Sequence, residues 1–385
     1  MLFKIYKKEM IDSFRDKRTL LLTVFLPILM MTALTLFYEN MISGEEDEAY
    51  TLAVEETLTS SQESLLSGAD NVELVAVDNP EQEILDGEAQ AAVIFADGFD
   101  ENLQNGVAGN IEIIGDTYSQ SSSSLMYLIT NQLTEYQKVI TSDRLQEQGV
   151  DPSIIQPFVI EQREISAENA NIMLLAMLIP MILAVAIGVG AGPSAADMFA
   201  GEKERKTMEA LLMTPVNRST LLLAKYLTIA SLGSIIGMVT LGVVAVEVAF
   251  FTEHLKAAVS FGDNVIQVIG FGILTSIAYA FFVGALLMIT SIVGKTVKEA
   301  QSYGTPMTML TIFPIFFISG LGVNEFTTNH FITPFVNIFA IITELVLGIV
   351  NLEHILMMLG SNIVCIIIIF IISRVLFSKD KWVMD

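Results

Sequence analysis

The 385-residue chain is 52% hydrophobic and carries a formal net charge of −23. Its mean hydropathy of +0.59 excludes an ordinary soluble protein of this size. Its one cysteine, Cys365, excludes a disulfide framework within the chain, and nothing in the composition points to a nucleic-acid partner. A membrane-spanning helix needs about 20 mostly apolar residues. Seven charge-free windows reach at least 18 residues: 19–38, 169–196, 226–246, 264–294, 300–324, 326–343 and 354–373.

In chain order, residues 1–18, "MLFKIYKKEMIDSFRDKR", predict an amphipathic helix. Leu2, Phe3, Tyr6, Met10 and Phe14 fall on one face, and Lys4, Lys8, Asp12 and Arg15 on the other. That pattern suits a cytoplasmic helix lying in the membrane interface, its basic groups near anionic headgroups of the membrane lipid. An ordinary cytoplasmic helix with an apolar side reads the same way. Residues 19–42 follow as a first span. A cleavable signal peptide does not fit, because the apolar stretch is long and no small-residue cleavage site follows it.

Residues 43–168 hold 26 Asp and Glu against three basic residues, Lys138, Arg144 and Arg163, so this block carries the whole net charge and the rest is neutral. It is long enough to be a folded domain. Runs at 50–54, 72–77, 91–95 and 111–115 read as strands separated by helix-like polar stretches, which argues an α/β layer structure. Residues 121–148 read as one long helix, with Leu125, Leu128, Ile129, Leu133, Tyr136 and Ile140 at 3–4 spacing. Residues 158–165 read as a last strand. The acidity is also what a merely solvated surface carries; it does not by itself make a cation site.

Orientation follows from the basic residues. Sixteen of the twenty fall on one face if the chain crosses six times: six before the first span, five in 203–225, Lys295 and Lys298, and Arg374, Lys379 and Lys381. Positive-inside bias makes that face cytoplasmic. Both termini, including the tail 378–385, are then inside and residues 43–168 outside. The expected fold is thus a polytopic α-helical membrane protein with six transmembrane helices and an α/β extracellular domain inserted between the first two spans. Residues 169–377 hold the five further spans. One window, 326–343, is left over. Residues 323–352 carry Glu325, His330, Pro334, Asn337 and Glu344, and read as a re-entrant pair on the outer side; a plain seventh span is the other reading.

Between the second and third spans lies "GEKERKTMEALLMTPVNRSTLLLAKY" (201–226). Glu202 with Lys206 and Arg205 with Glu209 stand at i,i+4, Met208, Leu211 and Leu212 form an apolar edge, and Pro215 ends the pattern. A short cytoplasmic helix over about 202–213 is expected, either a plain surface helix or a docking element for a partner. This stretch resembles the signature loop of type-2 ABC transporter permeases, in which Gly201, Glu202, Glu204, Arg205, Thr207, Glu209, Leu211, Leu212, Thr214, Pro215, Val216, Arg218 and Lys225 match the pattern; Lys206 stands where Gly or Ser is common. The layout of the whole chain resembles the branch that exports sodium. The resemblance implies a bacterial cell-membrane permease, a homodimer with a second permease copy, and a separate ABC ATPase subunit that binds ATP and Mg. It also implies that Glu202, Lys203, Glu204, Arg205, Thr207, Glu209 and Leu212 couple ATP-driven closure to the spans.

No cofactor is expected on this chain. "ITSIVGKT" (289–296) ends like a phosphate-binding loop but begins with Ile289 where such a loop needs Gly. His254, His330 and His354 lack metal-ligand spacing, and no catalytic constellation stands out. A sodium ion needs oxygen ligands, and ionisable groups at membrane depth point to function. Glu247, Asn337, Thr343 and Glu344 are the ion-pathway candidates, with Glu39 a weaker one; Glu247 also suits a residue reaching interfacial water, and Glu344 an interfacial or dimer-contact role. Two other readings remain at this stage: a permease for a peptide, antibiotic or lipid, and a membrane receptor or scaffold that binds through its outer domain.

Overall fold

A computed structural model describes residues 1–15, 21, 24–25, 28–37, 39–40, 49–68, 71–151, 155, 170–253, 256, 265–318 and 320–379. The strand expected at 158–165, His254 and most of the C-terminal tail lie outside them. The chain divides into two compact units, Ser43–Arg163 and the remainder, Met1–Ile42 with Glu164–Asp385.

The described residues of the smaller unit form four strands, β1 (Tyr50–Glu55), β2 (Val72–Val77), β3 (Ala91–Phe95) and β4 (Ile111–Gly115), in the order β2-β1-β3-β4. β1 is parallel to both β2 and β3, and β4 runs antiparallel to β3. Parallel neighbours need crossovers, and short helices supply them. One is Ser60–Leu66, whose start is fixed by a capping box between Thr59 and Gln62. Another is Pro80–Asp86, capped by Asn79 and ended by Gly87 at φ 82°, a left-handed position that suits glycine. The central strands are apolar on both faces: Leu52, Ala53, Val54, Ala91, Ala92 and Val93 are all buried. The long helix Gln120–Glu147 covers one face through Leu125 and Ile129, both 0% exposed.

The larger unit is helical. Its elements are labelled α1 (Leu2–Arg15), α2 (Ile28–Phe37), α3 (Ala170–Ala196), α4 (Met208–Leu212), α5 (Arg218–Phe250), α6 (Val265–Val293), α7 (Val297–Leu310), α8 (Ile315–Ile318), α9 (Thr328–Ile332), α10 (Val336–Val346) and α11 (Leu352–Ser378). Among the described residues, four stretches are long and apolar enough to cross a membrane: Leu175–Glu204, Arg218–Phe250, Val265–Val293 and Leu352–Ser378. Their shared core joins Leu183, Ile187, Phe199, Leu222, Ile229, Tyr279 and Met288 to α10 and α11. Small residues let the helices close up: a Cβ on Gly284 of α6 would lie 3.3 Å from the Ala230 backbone of α5.

Residues 300–324, expected as one span, are not one helix. α7 stops at Leu310, turns follow through Pro314, and α8 runs only four residues. Pro314 has no N–H to continue the ladder, which gives the physical reason for the break. The region 323–352 holds a 3-10 turn at Val323–Glu325 and then α9 and α10.

Candidate functional site

The charged motif does not fold as one helix over 202–213. After Ala196 the backbone widens into a π turn at Asp197–Gly201, a single α turn covers Glu202–Glu204, and the chain bends at Lys206, whose φ is 58°. Only then does α4 begin. The expected i,i+4 pairs, Glu202 with Lys206 and Arg205 with Glu209, give way to partners outside the segment. For Glu202 the reason is burial. A pair on an isolated helix surface gains only about 0.2–0.5 kcal/mol, whereas a carboxylate inside the fold must be matched by charge.

Glu202 is that carboxylate. It is 7% exposed, and its Oε1 lies 2.9 Å from the ammonium of Lys225, which is wholly buried near the start of α5. Lys225 also donates to the Met198 carbonyl at 2.8 Å and lies 3.4 Å from Oε1 of Glu9, buried on α1. The Phe199 ring, 5.5 Å away, adds a cation–π contact. Lys8, at 3.2 Å from Glu9, brings a second cation to the group. One lysine thus ties α1, the π turn, the motif and α5 together.

The next two residues grip a helix joint. The Lys203 ammonium donates to the Ile292 carbonyl at the end of α6 (2.6 Å), and Glu204 accepts from the Val297 N–H that starts α7 (2.9 Å). A cation at a helix C-terminus and an anion at an N-terminus are the signs the helix dipoles favour. Between these contacts Gly294 makes the tight turn, where a Cβ would lie 2.7 Å from the Ala300 nitrogen; the resemblance to a phosphate loop at 289–296 is therefore a packed turn. Ser291 donates to the Ala196 carbonyl (3.0 Å) and accepts from the Phe199 and Ala200 amides, partnering backbone groups that the π turn displaces.

Arg205 makes a two-pronged contact to Asp197, at 2.8 and 3.2 Å. That hydrogen bond holds its guanidinium above an already high pKa, burial pulling the other way. Thr207 donates to the Glu202 carbonyl, which helps close the bend. Met208 is buried and Leu212 half-buried against the core, while Lys206, Glu209, Ala210, Met213, Thr214 and Pro215 stay exposed, Met213 by 86%. The motif therefore has an inner charged side that holds helix ends and an outer mixed side that is free.

The ion-pathway candidates divide. Asn337, Thr343 and Glu344 lie on α10, all 5% exposed or less. Phe335, at φ 69° and edge-on to Phe282, launches that helix. Asn337 donates to Oδ1 of Asn362 (2.9 Å) and to Ser361, and its own Oδ1 is buried without a hydrogen-bond partner among the described residues. Two turns on, Glu344 bonds His354 Nδ1 at 2.7 Å, and that imidazole stacks on Phe331 at 3.7 Å. Thr343 turns instead to the Ala176 carbonyl of α3. Glu247, 6% exposed, takes its contact from another element: Thr32 of α2 donates to its Oε1, and Oε2 is buried without a hydrogen-bond partner among the described residues. Glu39 accepts from the Glu253 amide at 2.6 Å. Among the described residues no three His, Cys, Asp or Glu side chains converge on a metal-sized site.

Sequence reasoning missed three members of these clusters. Glu9 sits one turn from Ile5 and Tyr6 on the packed side of α1, a carboxylate among apolar neighbours that asks for a cation. Lys225 matched the family pattern but was counted only as loop charge. His354 stands ten residues from Glu344 across a chain reversal, beyond the reach of any helical period.

A family model described as ABC-2 family transporter protein matches residues 3–382. The chain is 38% identical over 385 residues, the full length of both proteins, to the ABC transporter permease protein NatB of Bacillus subtilis (strain 168). No solved structure matches.

Proposed function

The chain belongs to the ABC-2 family of transporter proteins, and on that premise we propose that it is the permease half of an ATP-driven sodium exporter. As a multi-pass permease subunit of the cell membrane it is the membrane component, and ATP hydrolysis lies in a partner. In this reading two copies of the chain work with a NatA-like ATPase that binds ATP and Mg. The chain crosses six times with both termini inside; residues 43–168 lie outside and residues 323–352 form the outer re-entrant pair.

The observation that carries the reading is the inward side of the motif. Closure of two ATPases pushes on the free face made by Lys206, Glu209 and Met213. Glu202 passes that push to α1 and α5 through Lys225, and Lys203 and Glu204 pass it to the α6–α7 joint. Thr207 and Leu212 keep the bend and α4 seated while this happens. α1 lies along the membrane interface, for Phe3, Ile11 and Phe14 are exposed while Ile5 and Tyr6 pack inward. Expelling one charge against 100 mV costs about 2.3 kcal/mol before any concentration term, so the push must come from nucleotide. Glu247 and the α10 group of Asn337, Thr343 and Glu344 offer oxygen ligands along the route.

Cells expressing this chain with its ATPase should hold less internal sodium than cells expressing the ATPase alone. Equal sodium in the two, with both proteins present in the membrane, would overturn the cargo assignment.

A further inference from the structure

At the end of the helical unit opposite the motif, α3, α5, α6 and α10 enclose a cavity of about 420 Å³. Ile179, Met238, Val244, Val268, Ile269 and Leu345 are among its apolar lining. Gly242 of α5 and Gly272 of α6 also line it, and a Cβ on either would meet no heavy atom within 4 Å. The space is therefore the volume that two absent side chains leave on two helices. Water is a poor occupant, since a buried water wants two to four polar partners.

The one charged residue on the lining is Lys256, which is exposed and makes no ion pair among the described residues. It is also the odd member of the charge pattern. Of the twenty Lys and Arg, it alone belongs neither to the acidic block 43–168 nor to the sixteen that share one face. Next in sequence to the lining residues Ala249 and Val265, the helix ends are greasy: Ile266 is 85% exposed, Phe250 80% and Phe251 67%. A lone cation beside a dry slot that opens among exposed hydrocarbon is the complement of one kind of molecule, an anionic head on an apolar tail.

We infer that this cavity binds one acyl chain of an anionic phospholipid, with the lipid phosphate against Lys256. The full-length permease, purified in neutral detergent, is titrated with phosphatidylglycerol or phosphatidylcholine. Bound lipid is counted by native mass spectrometry and the melting temperature followed. Phosphatidylglycerol should be retained and should raise the melting temperature by several degrees more than phosphatidylcholine. Lys256→Gln should erase that difference. Gly242→Leu with Gly272→Leu should fill the slot and release the lipid at unchanged helix content; leucine is the better helix former, so the variant carries no built-in folding fault. Equal response to the two lipids, a preference that survives Lys256→Gln, or lipid retained by the double leucine variant would each overturn the assignment. So would disulfide trapping of two copies through Ile269→Cys in a Cys365→Ser background, which would place a second copy of the chain over the cavity.

Discussion

The two ends of the helical unit handle polarity in opposite ways. At the motif end charges gather in contact: Lys225 lies between Glu202 and Glu9, Lys203 on a carbonyl, Glu204 on an amide and Arg205 on Asp197, while Oε2 of Glu202 is buried without a hydrogen-bond partner among the described residues. At the other end Glu247 and Asn337 each keep a buried oxygen without a hydrogen-bond partner among the described residues, and no buried lysine or arginine among those residues stands beside them. Opposite charges in contact tie several elements into one piece. Buried acids and amides with no cation beside them tie fewer elements and leave the packing more alternatives. The proposed transport cycle, with force entering at the motif, uses that difference.

The sharpest way to break this comparison is to remove the central cation. Lys225→Met leaves Glu9 and Glu202 buried without it, and should cost about 3–5 kcal/mol. A large drop in the melting temperature of the purified protein is the expected outcome. A melting point like the wild type's would mean that the motif end is not held by charge. Next is His354→Ala, which strips Glu344 of its partner at the opposite end and should cost about 1–3 kcal/mol. Were it to cost more than Lys225→Met, the ranking of the two ends would be reversed.

Glu204→Gln should lower stability by only about 0.3–1 kcal/mol, yet slow sodium efflux while the ATPase still co-purifies, because the joint loosens and the outer docking face does not change. Unchanged efflux would remove the joint from the transmission. The smallest effect belongs to Arg205→Gln, since both members of that pair are half exposed: under about 1 kcal/mol, fading as salt rises. A base whose folded pKa is raised contributes fully below its unfolded value and loses that contribution only as pH climbs through the folded one. The arginine's share should therefore be flat between roughly pH 5 and pH 9. A pH-dependent difference between wild type and Arg205→Gln in that window would tell against this pair.

Much of the fold was legible in the residues. The runs at 50–54, 72–77, 91–95 and 111–115 coincide with β1 to β4 within a residue, because β-branched apolar runs bounded by Asn, Pro and Gly have few other uses. The helix read at 121–148 lies at 120–147. The site was legible by type but not by partner. The motif announces charged residues beside a span, and local spacing then pairs them with each other. In the fold Glu202 reaches 23 positions ahead to Lys225, and Arg205 back to Asp197. Such contacts are set by how α1, α3 and α5 pack, and no helical period encodes that.

The hold on the α6–α7 turn has one more consequence. The contacts that Lys203 and Glu204 make at this joint are to the Ile292 carbonyl and the Val297 amide, so the side chains of those two residues carry none of these bonds and can be exchanged freely as far as the bonds are concerned. Proline is the exception. Position 297 opens a helix, where a proline ring is ordinarily welcome; here it would delete the amide that Glu204 grips. A change that stabilises most helices at that position would, in this molecule, unhook the α6–α7 turn from Glu204.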